Sequence, residues 1–164
     1  ETVHIHTGTT CDNHTQVGGH YWTPAEAFDV WKNVTYESDP FGAAAGFALV
    51  DSGYDLDMND GHAVVVHASN GDRIMCGVLQ FTTHHTSESP VEPVEPGTTD
   101  APDNGKSTEQ LSATLSAYPG YEGNLTNASG TVEVVGRSSA RVRDGIHLTR
   151  CSHFLPRSRW SPSQ

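Results

Sequence analysis

Gly61-His62-Ala63-Val64-Val65-Val66-His67, followed after Ala68-Ser69 by Asn70-Gly71-Asp72-Arg73-Ile74-Met75-Cys76-Gly77-Val78-Leu79, is the stretch that decides the fold. A β-branched run, a tight Asn-Gly turn and a second apolar run read as two antiparallel strands in a short hairpin. Outward from this hairpin, near the N-terminus, stands His4-Ile5-His6. Side chains alternate along a strand with period two, so His4 and His6 share one face while Ile5 points into the core. Both imidazoles can then reach one metal ion. Between the two blocks lie Cys11 and the run Gly18-Gly19-His20-Tyr21-Trp22.

Composition narrows the class. With 164 residues the chain suffices for one domain of ordinary size with a real core. Only 35% of residues are hydrophobic, and 16 Gly with 9 Pro indicate many turns, which suits an all-β fold with extended loops. A formal charge of −11 argues against nucleic acid as a partner. No stretch is apolar enough to span a bilayer. Three cysteines in so apolar-poor a chain point to an oxidising compartment, with one bridge and one cysteine left over. Sequons at Asn13, Asn33, Asn124 and Asn127 favour a secreted or cell-surface glycoprotein. The chain opens on Glu1 rather than Met, and reads as a fragment or a processed product.

Residues 2–6 are expected to form a strand and Cys11 to Val17 a polar loop. Thr23 to Trp31, with Thr as cap and Pro24 at the first position, reads as a short helix or an ordered loop. Val34 to Glu37 and Gly46 to Asp51 read as strands. Asp51, Asp55, Asp57, Asn59 and Asp60 lack the spacing and closing Glu of an EF-hand, and read as a solvated turn. Residues 82–110 are Pro- and acid-rich, an extended linker long enough to span about 80 Å. His84 and His85 at its start lack a third ligand and are expected to face solvent. Residues 111–118 and 130–135 alternate like strands, and 145–149 follows. The basic, Ser/Pro-rich end, 150–164, is expected to have no structure.

His4-Ile5-His6, Gly18-Gly19-His20, Val65-Val66-His67 and Arg73 three residues before Cys76 resemble, in order, the copper-site motifs of the copper–zinc superoxide dismutase superfamily. The resemblance implies an all-β Greek-key sandwich or barrel, and a copper ion held by His4, His6, His20 and His67. It also implies a Cys11–Cys76 disulfide, and Arg73 as the group that draws superoxide toward the metal. On an acidic surface that attraction has to be local. Family members disproportionate superoxide to dioxygen and hydrogen peroxide by cycling copper between two oxidation states. In the reduced state the residue matching His20 leaves the metal and takes up a proton.

The departures are informative. From His20 to Asp39 there is no further histidine, and the loop before Arg73 is only five residues, 68–72. Both resemble the copper-only branch, including its repeat-type extracellular proteins, and imply one copper and no zinc. There an acidic pair takes over from zinc in orienting the third histidine, and Glu37 and Asp39 are the candidates. The family's leading strands are missing ahead of residue 1, while 111–149 resembles the start of a following repeat. The module 1–81 is thus either incomplete or completed in permuted order, within the chain, by neighbouring repeats or by a swapped second copy. Two other classes compete. One is a non-catalytic extracellular metal-binding repeat. The other is a cupin-type metalloenzyme, which needs a Glu soon after the H-x-H pair, and Thr7 to Val17 contains none.

Overall fold

The computed structural model describes residues 1–23, 28–82 and 110–136, and the backbone of 144–152. Among the described residues eight strands form: β1 (Thr2–Ile5), β2 (Ala43–Val50), β3 (Ala63–His67), β4 (Arg73–Val78), β5 (Gln80–Phe81), β6 (Gln110–Ala117), β7 (Ser129–Val135) and β8 (Asp144–Ser152). β3 and β4 make the expected hairpin, with Val65 opposite Cys76. Its turn closes through Gly71, whose N–H donates to the Ala68 carbonyl (2.9 Å) at a φ of 89°, a conformation glycine adopts without a Cβ clash.

Every pairing between these strands is antiparallel, in the order β1-β3-β4-β6-β7-β8-β2. β4 and β5 both pair with β6, through Cys76 opposite Ser116 and Phe81 opposite Leu111. The register does not slip between them, so they form one line along β6, interrupted at Leu79. There the Leu79 N–H donates back to the His62 carbonyl (2.9 Å). Gly77 permits this joint, since a Cβ on it would run into the Thr114 carbonyl of β6.

Val3 and Ile5 of β1 and Ala44 and Val50 of β2 lie in one hydrophobic core, although β1 and β2 are the two ends of the sheet order. The sheet therefore curls so that its ends face a common interior. The chain at 34–36 runs beside β1, with Thr35 bridged to Thr2 and the Tyr36 N–H on the Glu1 carbonyl (3.1 Å). Trp31, 1% exposed, fills the interior and donates from Nε1 to the Tyr21 carbonyl (2.7 Å). Leu111, Leu115, Val132 and Val134 are buried in this same core with Ile5, whereas Val65 belongs to a smaller cluster with Val17 and Cys76.

Thr82 donates to the Gln110 carbonyl (3.0 Å), which places these two residues at the β5–β6 pairing; the rest of the expected linker, residues 83–109 with His84 and His85, lies outside the described residues. Several other expectations are corrected. The loop 11–17 contains a short helix, His14–Val17, because Asn13 caps it and Val17 is buried beneath it. Of the segment 23–31, read as a short helix or an ordered loop, Pro24 to Ala27 lie outside the described residues, and a 3-10 turn forms at Val30–Asn33. Within the acidic stretch the aspartates are exposed, but Leu56 and Asn59 are fully buried and anchor a 3-10 turn. The tail expected to lack structure from residue 150 continues β8 to Ser152. Backbone pairing on both sides, with β7 and β2, orders that segment irrespective of its polar sequence. Among the described residues no helix is long and apolar enough to cross a membrane.

Candidate metal centre

Strand alternation places His4 in β1 on one face and Ile5 on the other. His6, just beyond the strand, forms an isolated bridge with His20, which brings the 18–22 segment alongside. His67 ends β3, the neighbour of β1, opposite Thr2. Four histidines from three separate segments thus converge: one ring nitrogen from each of His4, His6, His20 and His67 lies within 4.8 Å of the others.

Hydrogen bonds fix which nitrogen each ring offers. Nδ1 of His6 donates to the Gly18 carbonyl (3.0 Å), and Nδ1 of His67 donates to the Gly71 carbonyl (3.1 Å). A carbonyl can only accept, so both protons sit on Nδ1 and both Nε2 atoms carry free lone pairs. Those two Nε2 atoms stand 3.4 Å apart. Two lone pairs facing one another in a buried site repel unless a cation lies between them. His20 follows the same pattern, with Nδ1 2.7 Å from Oδ2 of Asp29. The other Asp29 oxygen accepts from the Trp31 N–H (3.0 Å), so the carboxylate is held at both ends. His4 is 5% exposed, and neither of its ring nitrogens has a partner among the described residues, a costly state for a buried polar group. Burial lowers the pKa of His4 to about 3 and of His6 to about 4, and lowers that of His67. The three rings are therefore neutral at physiological pH, the state in which imidazole binds metal. Histidines with one nitrogen held by an acceptor and the other bare fit a metal ion as the missing partner.

Arg73 borders this cluster. Its Nη2 donates to the Gly18 carbonyl (2.8 Å), the oxygen that also takes the His6 proton, and Nη1 donates to the His14 carbonyl (2.9 Å). Its positive charge contributes to the lowered pKa of both His6 and His67. Cys11 and Cys76 are bonded, with Cα atoms 5.8 Å apart, which ties the loop bearing His14 and Gly18 to β4.

The acidic partner of His20 is corrected. Glu37 is exposed, and Asp39 accepts from the Phe41 and Ala43 N–H groups of its own turn (2.8 and 2.9 Å). Asp29 stands at Nδ1 of His20 instead, carried there by the 3-10 turn that it caps. Its sequence signal was the acid immediately ahead of Val30-Trp31, a buried-aromatic turn. His62 stays outside the cluster, bonded to the His6 carbonyl (3.1 Å) and stacked on Tyr21. Asn13, Asn33, Asn124 and Asn127 are all exposed. For Cys151 only the backbone is described, in β8 opposite Gly130 and Ala44.

Searched against protein-family models, curated proteins and solved structures, the chain matches none. What fold and site define is an all-β protein carrying a disulfide and a four-histidine cluster placed to hold a metal ion.

Proposed function

We propose that this protein is a superoxide dismutase of the copper-only type. Its sheet would be a Greek-key sandwich completed in permuted order by residues 110–152. The observation that carries the reading is the set of His4, His6, His20 and His67 with a carboxylate, Asp29, on the far nitrogen of His20. In a copper–zinc enzyme that nitrogen belongs to a second metal. Here a carboxylate does the orienting, so a single metal suffices. An all-imidazole set suits copper in both oxidation states. Bound copper supplies one-electron chemistry toward superoxide. The chain does the rest. Arg73 places a fixed positive charge beside the ligands to draw in the anion. Asp29 keeps a proton on Nδ1 of His20, leaving Nε2 as the atom that takes up a proton and passes it to departing peroxide. The His20 side chain is 22% exposed, which gives that transfer a route to solvent. The disulfide and the exposed sequons suit an extracellular or cell-surface setting.

The test is metal analysis with a superoxide-removal assay on protein loaded with copper and zinc together. One copper, no stoichiometric zinc, and activity abolished by His67→Ala is the expected result. One copper without superoxide removal would favour a non-catalytic metal-binding protein instead.

A further inference from the structure

The guanidinium of Arg73 is held by three acceptors, and the third comes from a distant part of the chain. Two are the His14 and Gly18 carbonyls of the disulfide-tied loop. The third is the phenol of Tyr118, which accepts from Nη1 at 3.1 Å. Tyr118 follows β6 directly, beyond the 83–109 segment, and is 5% exposed. Its N–H donates to the Ile74 carbonyl (2.9 Å), which locks it beside β4 next to Arg73. Its ring also underlies the charge, with Cζ of Arg73 5.8 Å from the ring centroid, within cation–π range. An open cleft of about 590 Å³ is bounded by Arg73, His14, Tyr118 and Tyr121, and its lining includes none of the four clustered histidines. An arginine released from the phenol has that cleft to swing into.

We infer that Tyr118 is a positioning residue: its hydroxyl holds the Arg73 guanidinium beside the four-histidine cluster, so that the anion-attracting site is complete only when β6 has joined the sheet. The carbonyls alone grip the guanidinium from the loop side. The phenol grips it from the β6 side and blocks rotation of the fork toward the cleft. The first eighty-one residues thus supply all four histidines of the cluster but not the full support of the charge beside them. The anion-guiding part of this inference rests on the function proposed above, whereas the hold of Tyr118 on Arg73 does not.

Tyr118→Phe removes the hydroxyl and keeps the ring, its packing and the cation–π contact. In metal-free protein, ¹⁵N-resolved NMR of the Arg73 Nη groups should show slow rotation in the wild type and averaged signals in Tyr118→Phe. In copper-loaded protein, azide titrated as the anion probe should bind about 3- to 10-fold more weakly to Tyr118→Phe, within the worth of one hydrogen bond to a charged group. Copper stoichiometry should be unchanged, and the loss should vanish in an Arg73→Ala background. Unchanged Arg73 signals in Tyr118→Phe, or an azide loss that persists without Arg73, would overturn the inference. Averaged signals with superoxide removal unaffected by Arg73→Ala would leave Tyr118 as the support of Arg73 and overturn the anion-guiding part, whereas averaged signals in a protein that, loaded with copper, removes no superoxide would overturn the proposed function instead.

Discussion

Nδ1 of His20 lies 2.7 Å from Oδ2 of Asp29, and the same carboxylate accepts the Trp31 N–H with its other oxygen. The carboxylate that sets the tautomer of one metal-ligand candidate is thereby fixed by the turn that buries Trp31, so core packing and site geometry are mechanically joined.

Asp29→Asn should weaken copper binding about 10- to 100-fold, the usual worth of a group that orients a metal-bound histidine. Glu37→Gln and Asp39→Asn should leave copper affinity within about 2-fold, because neither touches His20 and an exposed carboxylate adds little. Competition titration against a chelator of known affinity would measure all three. Equal losses for Asp29 and Glu37 variants would contradict the assignment of Asp29.

Metal-free protein should lose stability as pH falls below about 6.5, the unfolded histidine value. Burial holds folded His4 near 3 and His6 near 4. Between those values and 6.5 the unfolded chain binds more protons than the folded one, so unfolding gains free energy with each step down in pH. The loss develops across that window and levels off below the folded values. Thermal melts from pH 8 to 4 should show the decline, and a His4→Gln variant, with no proton to gain there, should show a shallower one.

Opening the disulfide should cost about 2–4 kcal/mol, given the 65-residue separation of Cys11 and Cys76. It should also weaken metal binding in a Cys11→Ser/Cys76→Ser variant that still folds. The freed loop carries the Gly18 carbonyl, which serves both His6 and Arg73. Denaturant unfolding and copper titration of the same variant would separate the two effects.

Two glycine-to-alanine changes should diverge. Gly77→Ala should destabilise by about 1–3 kcal/mol, because the added methyl group meets the Thr114 carbonyl of the neighbouring strand. Gly46→Ala, within β2, meets nothing within 4 Å among the described residues and should be neutral or stabilising by up to about 1 kcal/mol. Urea denaturation midpoints decide it.

Much was legible in the sequence because it rested on short-range rules. Strand periodicity assigned His4 and His6 to one face, and the Asn70-Gly71 turn set the β3–β4 hairpin. Which histidines and cysteines would meet, including the pairing of Cys11 with Cys76, came instead from the resemblance of their motifs to a known family. Tertiary structure alone decided the rest. Acids near His20 are alike as letters; Asp29 differs from Glu37 and Asp39 only in where the turn around the buried Trp31 delivers it. Residues 150–152 look like a disordered end, yet β8 has strands on both sides, and backbone hydrogen bonds are indifferent to side-chain polarity. Tyr118 carries no motif. Its contact with Arg73 exists because β6 pairs with β4, and the pairing of strands distant in sequence is set by the burial of the whole core rather than by any local pattern.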